Sequence, residues 1–315
     1  MDELLERITR GLGESEDLVT ALAEQLGASD LSSLLLEVAT RRAAARSPAE
    51  VRRQYETDRF VRPSAADPLL LNAIERDALT IAAAHGFVPI APSPLAPLAC
   101  CASVATVSQN KIVSTMRGTE VASDSSNLLA LEAAVRRAAD PRGPTVSLVA
   151  NQRVVRAQPL ARPEFRPHFQ LFVTVAAGRD PGGRAFEARE VERAITVQLE
   201  LVRVLAARGH LCDRPVVALS PDAPHAPVAE RVAAALRAAW PDVPVEIDGA
   251  RVAASGYYGG LCFGVWIQRE HDRFPLGDGG FTDWVAKLTS SRKERCFVGA
   301  VGVEALATAL APATR

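Results

Sequence analysis

The sequence predicts an α+β protein. Three observations point there: two apolar arms between Gln152 and Asp180 joined by a charged loop as in a hairpin, an amphipathic helical run from Phe186 to Arg208 behind it, and glycine-spaced apolar runs toward the C-terminal end that read as further strands. At 315 residues, 48% hydrophobic and 23% charged, the chain is long enough to bury a sizeable core. Its formal net charge of -1 and pI near 6.5 give no overall field toward nucleic acid or anionic lipid. The only lysines are Lys111, Lys287 and Lys293, so arginine is the default cation and any single Arg carries less information. The five cysteines show neither CxxC nor Cys/His spacing, which argues against zinc and against a disulfide framework and fits a reducing cytoplasm. The acidic start, MDELLER, and the lack of any apolar run of about 18 residues predict neither export nor a membrane span.

Taken in order, residues 2 to about 46 are helical in pattern: Leu4, Leu5, Ile8 and Leu12 share a face, then Leu18, Leu22 and Leu26, then Leu31, Leu34, Leu35 and Val38. Residues 1–48 therefore read as a helical appendage ending in the basic run Arg41, Arg42 and Arg46, a solvated helix end or a minor nucleic-acid contact. Ser47-Pro48 opens a new helix, and residues 49–315 form the main unit, entered through the linker Arg62 to Pro68. Leu69 to Ala84 is a helix closed by His85-Gly86, and Phe87 to Pro92 is a strand that its prolines confine to an edge. His85 suits the helix terminus, and Cys100-Cys101 reads as buried and inert.

A strand is predicted over 112–120, delivering Arg117 and Glu120 at its end. Glu120 suits an amine and Arg117 a carboxylate or phosphate, although such residues also cap junctions. A helix from Asn127 to Ala139 precedes the hairpin. There Arg153 and Arg156 close the first arm, Arg162 and Arg166 sit in the loop, and His168 opens the second arm. Such a cluster either grips an anion or forms a solvated tip. Alternation puts Arg156 on the face opposite Val155. Residues 210–250 form a β-α-β-like insert without a glycine-rich phosphate loop. A strand over 256–267, a glycine turn from Pro275 to Trp284 entering a helix, and a glycine strand from Phe297 passing into the last helix complete the chain. The glycines serve close approach, by a ligand or by a neighbouring strand.

Six segments in this order resemble the catalytic core of class II aminoacyl-tRNA synthetases, specifically the histidyl type and its paralogues such as the regulatory subunit of ATP phosphoribosyltransferase. The resemblance runs from about Asp67 to the end: HGFVPIAPSPL looks like the first class motif, STMRGTEV like the segment that meets the amino acid, and RVVRAQ with PHFQLF like the second motif. GYYGGLCF and GDGGFTDW look like the two histidyl signatures, and VGAVGVEAL like the third motif. The resemblance implies an antiparallel sheet flanked by helices and a homodimer joined through the first motif. It further implies nucleotide contacts from Arg156, Gln158, Arg166, His168 and Phe172, with Arg156 on the α-phosphate and Phe172 stacked on adenine. Arg117, Glu120, Tyr257, Tyr258, Gly279 and Gly280 would line the amino-acid pocket, with ATP or AMP and Mg²⁺ as cofactors.

The departures bear on activity. Gln158 stands where the second motif has glutamate, Ala305 where the third has arginine, Gly256, Gly259 and Gly264 at charged positions of the signatures, and Phe281 at an arginine. The chain also ends soon after the third motif, where a histidyl synthetase continues into an anticodon-binding domain. The expectation is a ligand-binding or regulatory paralogue with an amino-acid or adenine-nucleotide pocket, a small-molecule ligand and a partner enzyme, not charging tRNA. The alternative is a ligase that adenylates a small carboxylate or amino acid for a non-tRNA acceptor; neither reading has a candidate for covalent catalysis.

Overall fold

The computed structural model describes residues 18–105, 107–158, 166–210, 212, 214–248, 257–268 and 273–310, with side chains followed to residue 307. The apolar set Leu4, Leu5, Ile8 and Leu12 and the loop arginine Arg162 lie outside the described residues. A short helical stretch, Leu18–Thr20 with a π-turn at Ala21–Gln25, leads to α1 (Ala28–Ala44) and α2 (Pro48–Thr57). Neither α1 nor α2 buries a residue. Ser47 and Glu50 cap each other's backbone at the start of α2, with Pro48 in the first turn. Arg41 pairs with Glu37 and Arg46 reaches Gln54, both as exposed contacts.

Asp67 caps α3 (Pro68–Ala84), which ends at His85 and Gly86, the latter at φ 80 where glycine is the unstrained choice. His85 pairs with Glu200 at 3.0 Å. The proline-marked segment yields only β1 (Val88–Pro89), and β2 (Leu95–Pro97) pairs with β3 (Thr119–Val121) in a separate two-stranded sheet. The strand expected over 112–120 is thus mostly absent. Gly118, at φ 66, turns the chain, so that Thr115 N–H donates to Thr119 O and Val121 N–H to Val113 O, each at 2.8 Å.

After Asp124 caps α4 (Ser125–Ala139), the hairpin β4 (Val146–Val155) and β5 (His168–Arg179) runs in register from Val146 opposite Ala177 to Val155 opposite His168. Then come α5 (Ala185–Ala207), β6 (Pro215–Pro221), α6 (Ala226–Ala239), β7 (Val245–Ile247), β8 (Gly259–Gln268), β9 (Arg273–Thr282), α7 (Trp284–Leu288), β10 (Glu294–Gly302) and α8 (Val303–Leu310). The main sheet has the order β1-β4-β5-β10-β9-β8-β6-β7 and is antiparallel except at its two edges, where β1 runs parallel to β4 and β7 parallel to β6. The glycine stretch 275–284 is therefore mostly strand, not turn. The reason is steric: a Cβ on Gly277 would lie 2.4 Å from Ala300 O, and one on Gly279 2.7 Å from the Phe263 ring, so glycine lets neighbouring strands and side chains close in.

One sheet face, carrying Val149, Phe172, Ala176 and Phe297, packs on α3, α5, α6 and α8. The other, carrying Leu148, Ala150, Val154, Leu171 and Val173, packs on α4 and α7. This is a mixed α+β fold with helices on both faces of a mostly antiparallel sheet. Among the described residues no helix is long and apolar enough to cross a membrane.

Candidate functional site

On the α4 face the sheet extends past the helix start, and there a cleft of about 510 Å³ opens. Its floor is Leu171 of β5, Ala300 and Gly302 of β10, and Leu276 to Asp278 of β9; its walls are the loop 101–112, the start of α4, Arg156 with Gln158, and Tyr257 with Tyr258. Period-two alternation brings Arg156 here. Val154 and its cross-strand partner Phe169 face this side, so the residue two beyond Val154 follows them. The Arg156 guanidinium lies 5.0 Å from the Phe169 ring centroid, donates through Nε to Ser123 O at 3.0 Å, and meets Asp124 Oδ2 at 3.4 Å.

Opposite it, Tyr257 and Tyr258 meet edge to face with centroids 4.9 Å apart, and Tyr257 leans on Trp284 at 5.4 Å. Burial, joined by the neighbouring carboxylates Asp124 and Asp278, raises both phenols well above their ordinary range and keeps them as donors. Tyr258 Oη donates to Asp278 Oδ1 at 3.1 Å. Cys101 touches Ser123 Oγ at 2.8 Å and receives Asn127 Nδ2 at 2.9 Å, while burial raises its thiol against those hydrogen bonds. Burial pushes Cys100 up to about 12. Both stay thiols at neutral pH and are poor nucleophiles. Asn127 is itself buried, and its Oδ1 has no hydrogen-bond partner.

Four of the residues singled out in the sequence, Arg156, Gln158, Tyr257 and Tyr258, meet in this cleft. Others do not. Phe172 is 2% exposed in the core on the opposite face, so it offers no surface to adenine; the aromatic beside Arg156 is Phe169, legible from strand alternation had the parity been followed. His168 also faces away, Nδ1 accepting from Arg153 Nη1 at 2.8 Å and Nε2 donating to Arg62 O at 2.7 Å. There Glu304 pairs with Arg153 at 3.0 Å and accepts from Ser64 Oγ and Gln170 N–H, fastening the segment 62–64 to the sheet.

Glu120 is fully buried. It accepts backbone N–H groups from Ala99 and Cys101 and the Gln109 amide, which leaves it holding the 99–101 turn and not a ligand amine. Arg117 is exposed on the turn before Gly118, and Arg166, half-buried, is not in the cleft wall. Gly280 makes room for Tyr258, whose ring would lie 2.7 Å from an added Cβ, and Gly279 for Phe263. Asp124, Asn127, Lys111 and Asp278 are among the polar cleft residues, with Ser123 and Ser126, that the sequence did not assign to the site. Only the helix-cap position of Asp124 signalled that it would sit at a junction.

The chain has the class II aminoacyl-tRNA synthetase-like fold, and solved structures similar to it include histidyl-tRNA synthetases, a threonyl-tRNA synthetase and a protein described as a regulatory subunit. It is similar to the apo histidyl-tRNA synthetase of S. aureus at 15% identity and TM-score 0.58, over 76% of this chain and 65% of that one. A Bacillus halodurans C protein described as ATP phosphoribosyltransferase regulatory subunit/histidyl-tRNA synthetase is similar at 12% identity and TM-score 0.58, over 80% and 84%. The histidyl-tRNA synthetase of Nostoc sp. PCC 7120 is similar at 14% identity and TM-score 0.60, over 80% and 74%. This chain thus spans less than two thirds of the S. aureus synthetase. No family model and no curated protein matches the sequence.

Proposed function

We propose that this protein is a histidyl-tRNA synthetase-like paralogue acting as a ligand-binding or regulatory protein, taking an amino acid or an adenine nucleotide in the cleft and not charging tRNA. The observation that carries this reading is that one cleft brings acceptors and cations together, Asp124 and Arg156 lying in contact at 3.4 Å. Asp124 and the bare, buried Asn127 Oδ1 await an ammonium, and Arg156 with Lys111 awaits a carboxylate or a single phosphate. An acceptor buried without a partner costs about 1–3 kcal/mol, which a bound donor would return. The similarity in fold to a protein described as a regulatory subunit supports action through a partner enzyme, and the five free, buried cysteines support a cytoplasmic setting.

Adenylation is less well supported. Among the described residues the cleft wall holds two cations, of which Arg156 is already paired with Asp124, and Ala305 stands exposed beside Gly302 where the third motif would place an arginine. Losing one preorganised cation from phosphoryl chemistry typically costs roughly 3–4 kcal/mol, or 10²–10³ in rate. Among the described residues no group of three or more His, Cys, Asp or Glu is placed to hold a metal. The ligase reading draws on Arg156 lying against Phe169, since an aromatic face beside an arginine suits an adenine and its first phosphate.

Calorimetry with the free amino acids, AMP and Mg²⁺-ATP, joined to amino-acid-dependent pyrophosphate exchange, separates the readings. Amino-acid or equal weak nucleotide binding without exchange is expected. Exchange with strong ATP preference would establish the ligase.

A further inference from the structure

A second groove, of about 660 Å³, lies at the other end of β10. Arg295 and Cys296, at the start of that strand, line it, whereas Ala300 and Gly302, near its end, line the first cleft; the two share no wall residue. It is closed by the turn and first residues of α5 (Asp180 to Glu187), by His225 of the 3₁₀ turn Ala223–His225, by Gly259 and Gly260 of β8, and by the end of β9. We infer that this groove is a second small-molecule site, for a compact zwitterion carrying a primary ammonium and a carboxylate: a free α-amino acid.

Some of the lining groups already serve the fold. The Asp180 carboxylate accepts the N–H groups of Arg184 and Phe186, each at 3.1 Å, and so fixes the start of α5. The Arg184 guanidinium donates to Pro224 O, joining that turn to the insert. Glu187, His225 and Arg295 remain, with the buried Thr282 hydroxyl, also without a hydrogen-bond partner, beside them. Glu187 is 6% exposed; its Oε1 lies 3.5 Å from Arg295 Nε, and its Oε2 has no hydrogen-bond partner. A buried carboxylate oxygen without a donor is costly, and the groove beside it is where a donor can enter.

His225 supplies the second. Its Nδ1 contacts the Asp222 carboxylate, which can only accept, so Nδ1 carries a hydrogen and, whenever the ring is uncharged, Nε2 presents a lone pair. Gly260, at φ 77, keeps this edge of the ring open: a Cβ there would lie 2.8 Å from Nε2 and 2.7 Å from Cε1. The third is Arg295, half-buried, with Nη1 on Arg292 O at 3.0 Å and the rest of its fork beside Glu187. Two acceptors suit an ammonium, and an arginine beside them suits a carboxylate. A simple anion would leave Glu187 Oε2 bare, and a simple amine would bring no anion to the side of the Arg295 fork that Arg292 O and Glu187 do not take up. An α-amino acid satisfies both.

The test uses the full chain carrying Asp124→Asn and Arg156→Ala, which disable the first cleft, titrated by calorimetry with the twenty amino acids one at a time. Each amino acid that binds is then compared with its 2-hydroxy acid, which lacks the ammonium. The inference predicts that at least one amino acid still binds in this background and that its hydroxy acid binds ten-fold or more weakly. Glu187→Gln, nearly isosteric, should weaken it by about the same factor. The His225 Nε2 resonance should shift on binding. Arg295→Ala provides a second reading should Glu187→Gln not fold. Absence of amino-acid binding up to millimolar concentration, affinity unchanged by the groove variants, or an unmoved His225 resonance would each overturn it. A failure of the first-cleft reading looks different: there the unmodified protein and the double variant would bind alike.

Discussion

Arg156 and Asp124 face each other at the edge of the cleft, Nη2 to Oδ2 at 3.4 Å, and the same aspartate caps α4 through Oδ1 on Ser126 N–H at 2.9 Å. The carboxylate thus ties the start of a helix to the end of a strand, and it partly neutralises the cation best placed for an anionic ligand. The two roles can be separated. Asp124→Asn retains an oxygen for the cap, whose loss typically costs about 1 kcal/mol, and removes the charge. Thermal stability should change little, while AMP should bind several-fold more tightly because Arg156 is released from its partner. Calorimetry that found AMP binding weakened would mean that Asp124 supports the nucleotide and does not compete with it.

A second pair concerns stability and not ligand binding. Glu294 is buried with Arg137, whose Nε lies 2.8 Å from Oε2, and Arg179 approaches Oε1 at 2.9 Å. Burial alone would raise the Glu294 carboxyl, but the hydrogen bonds and charges of Arg137 and Arg179 outweigh it and hold the group below its ordinary value. The folded carboxyl titrates below the unfolded one. Its contribution to stability is therefore fully present above the unfolded value near 4.3 and is lost as pH falls through the folded value. Glu294→Gln should cost roughly 3–5 kcal/mol at neutral pH by leaving Arg137 buried without its counter-ion, and should flatten acid unfolding below about pH 4, as followed by circular dichroism.

Glycine 277 provides a steric test. An added Cβ would sit 2.4 Å from Ala300 O and 2.8 Å from Gln198 Oε1, and the first of these is backbone that cannot move without shifting β10. Gly277→Ala should lower stability by about 1–3 kcal/mol, several degrees in melting temperature. An unchanged melting curve would show that β9 and β10 are not held at this spacing.

How much of this was legible follows from what each signal measures. The hairpin, the long α5 and the helix before β1 were readable because apolar periodicity and capping residues act locally, and the order of short motifs carried the fold class. The misreadings lie where tertiary packing decides. Phe172 and Phe169 are both aromatic and three positions apart, so only strand parity separates a core residue from a cleft residue. Glu120 looked like a ligand group because a lone buried carboxylate cannot be told from a functional one until the Ala99 and Cys101 N–H groups fold over it. The acceptors Asn127 and Asp278 belong to separate elements and meet only in the fold.

The last prediction concerns assembly. Among the described residues, β1 ends the sheet and pairs on one side only, with β4, so its outer edge has backbone groups without a strand partner. Val88 on it is 52% exposed, and Leu69, Leu95 and Leu98 on neighbouring segments are also exposed. An apolar edge of this kind is a template for pairing unless covered, and closed two-fold pairs are the commonest way for a chain to cover it with its own copy. We therefore expect a homodimer at micromolar concentration in sedimentation velocity. Val88→Lys should shift it to monomer while leaving the melting curve of the fold nearly unchanged, since an exposed side chain contributes little within the monomer. A monomeric unsubstituted protein would remove the assembly, and a dimer indifferent to Val88→Lys would move the interface elsewhere. If instead the substitution dissociates the dimer and weakens ligand binding in the first cleft together, the loop 101–112, which follows β2 and lines that cleft, is the path by which the two are joined.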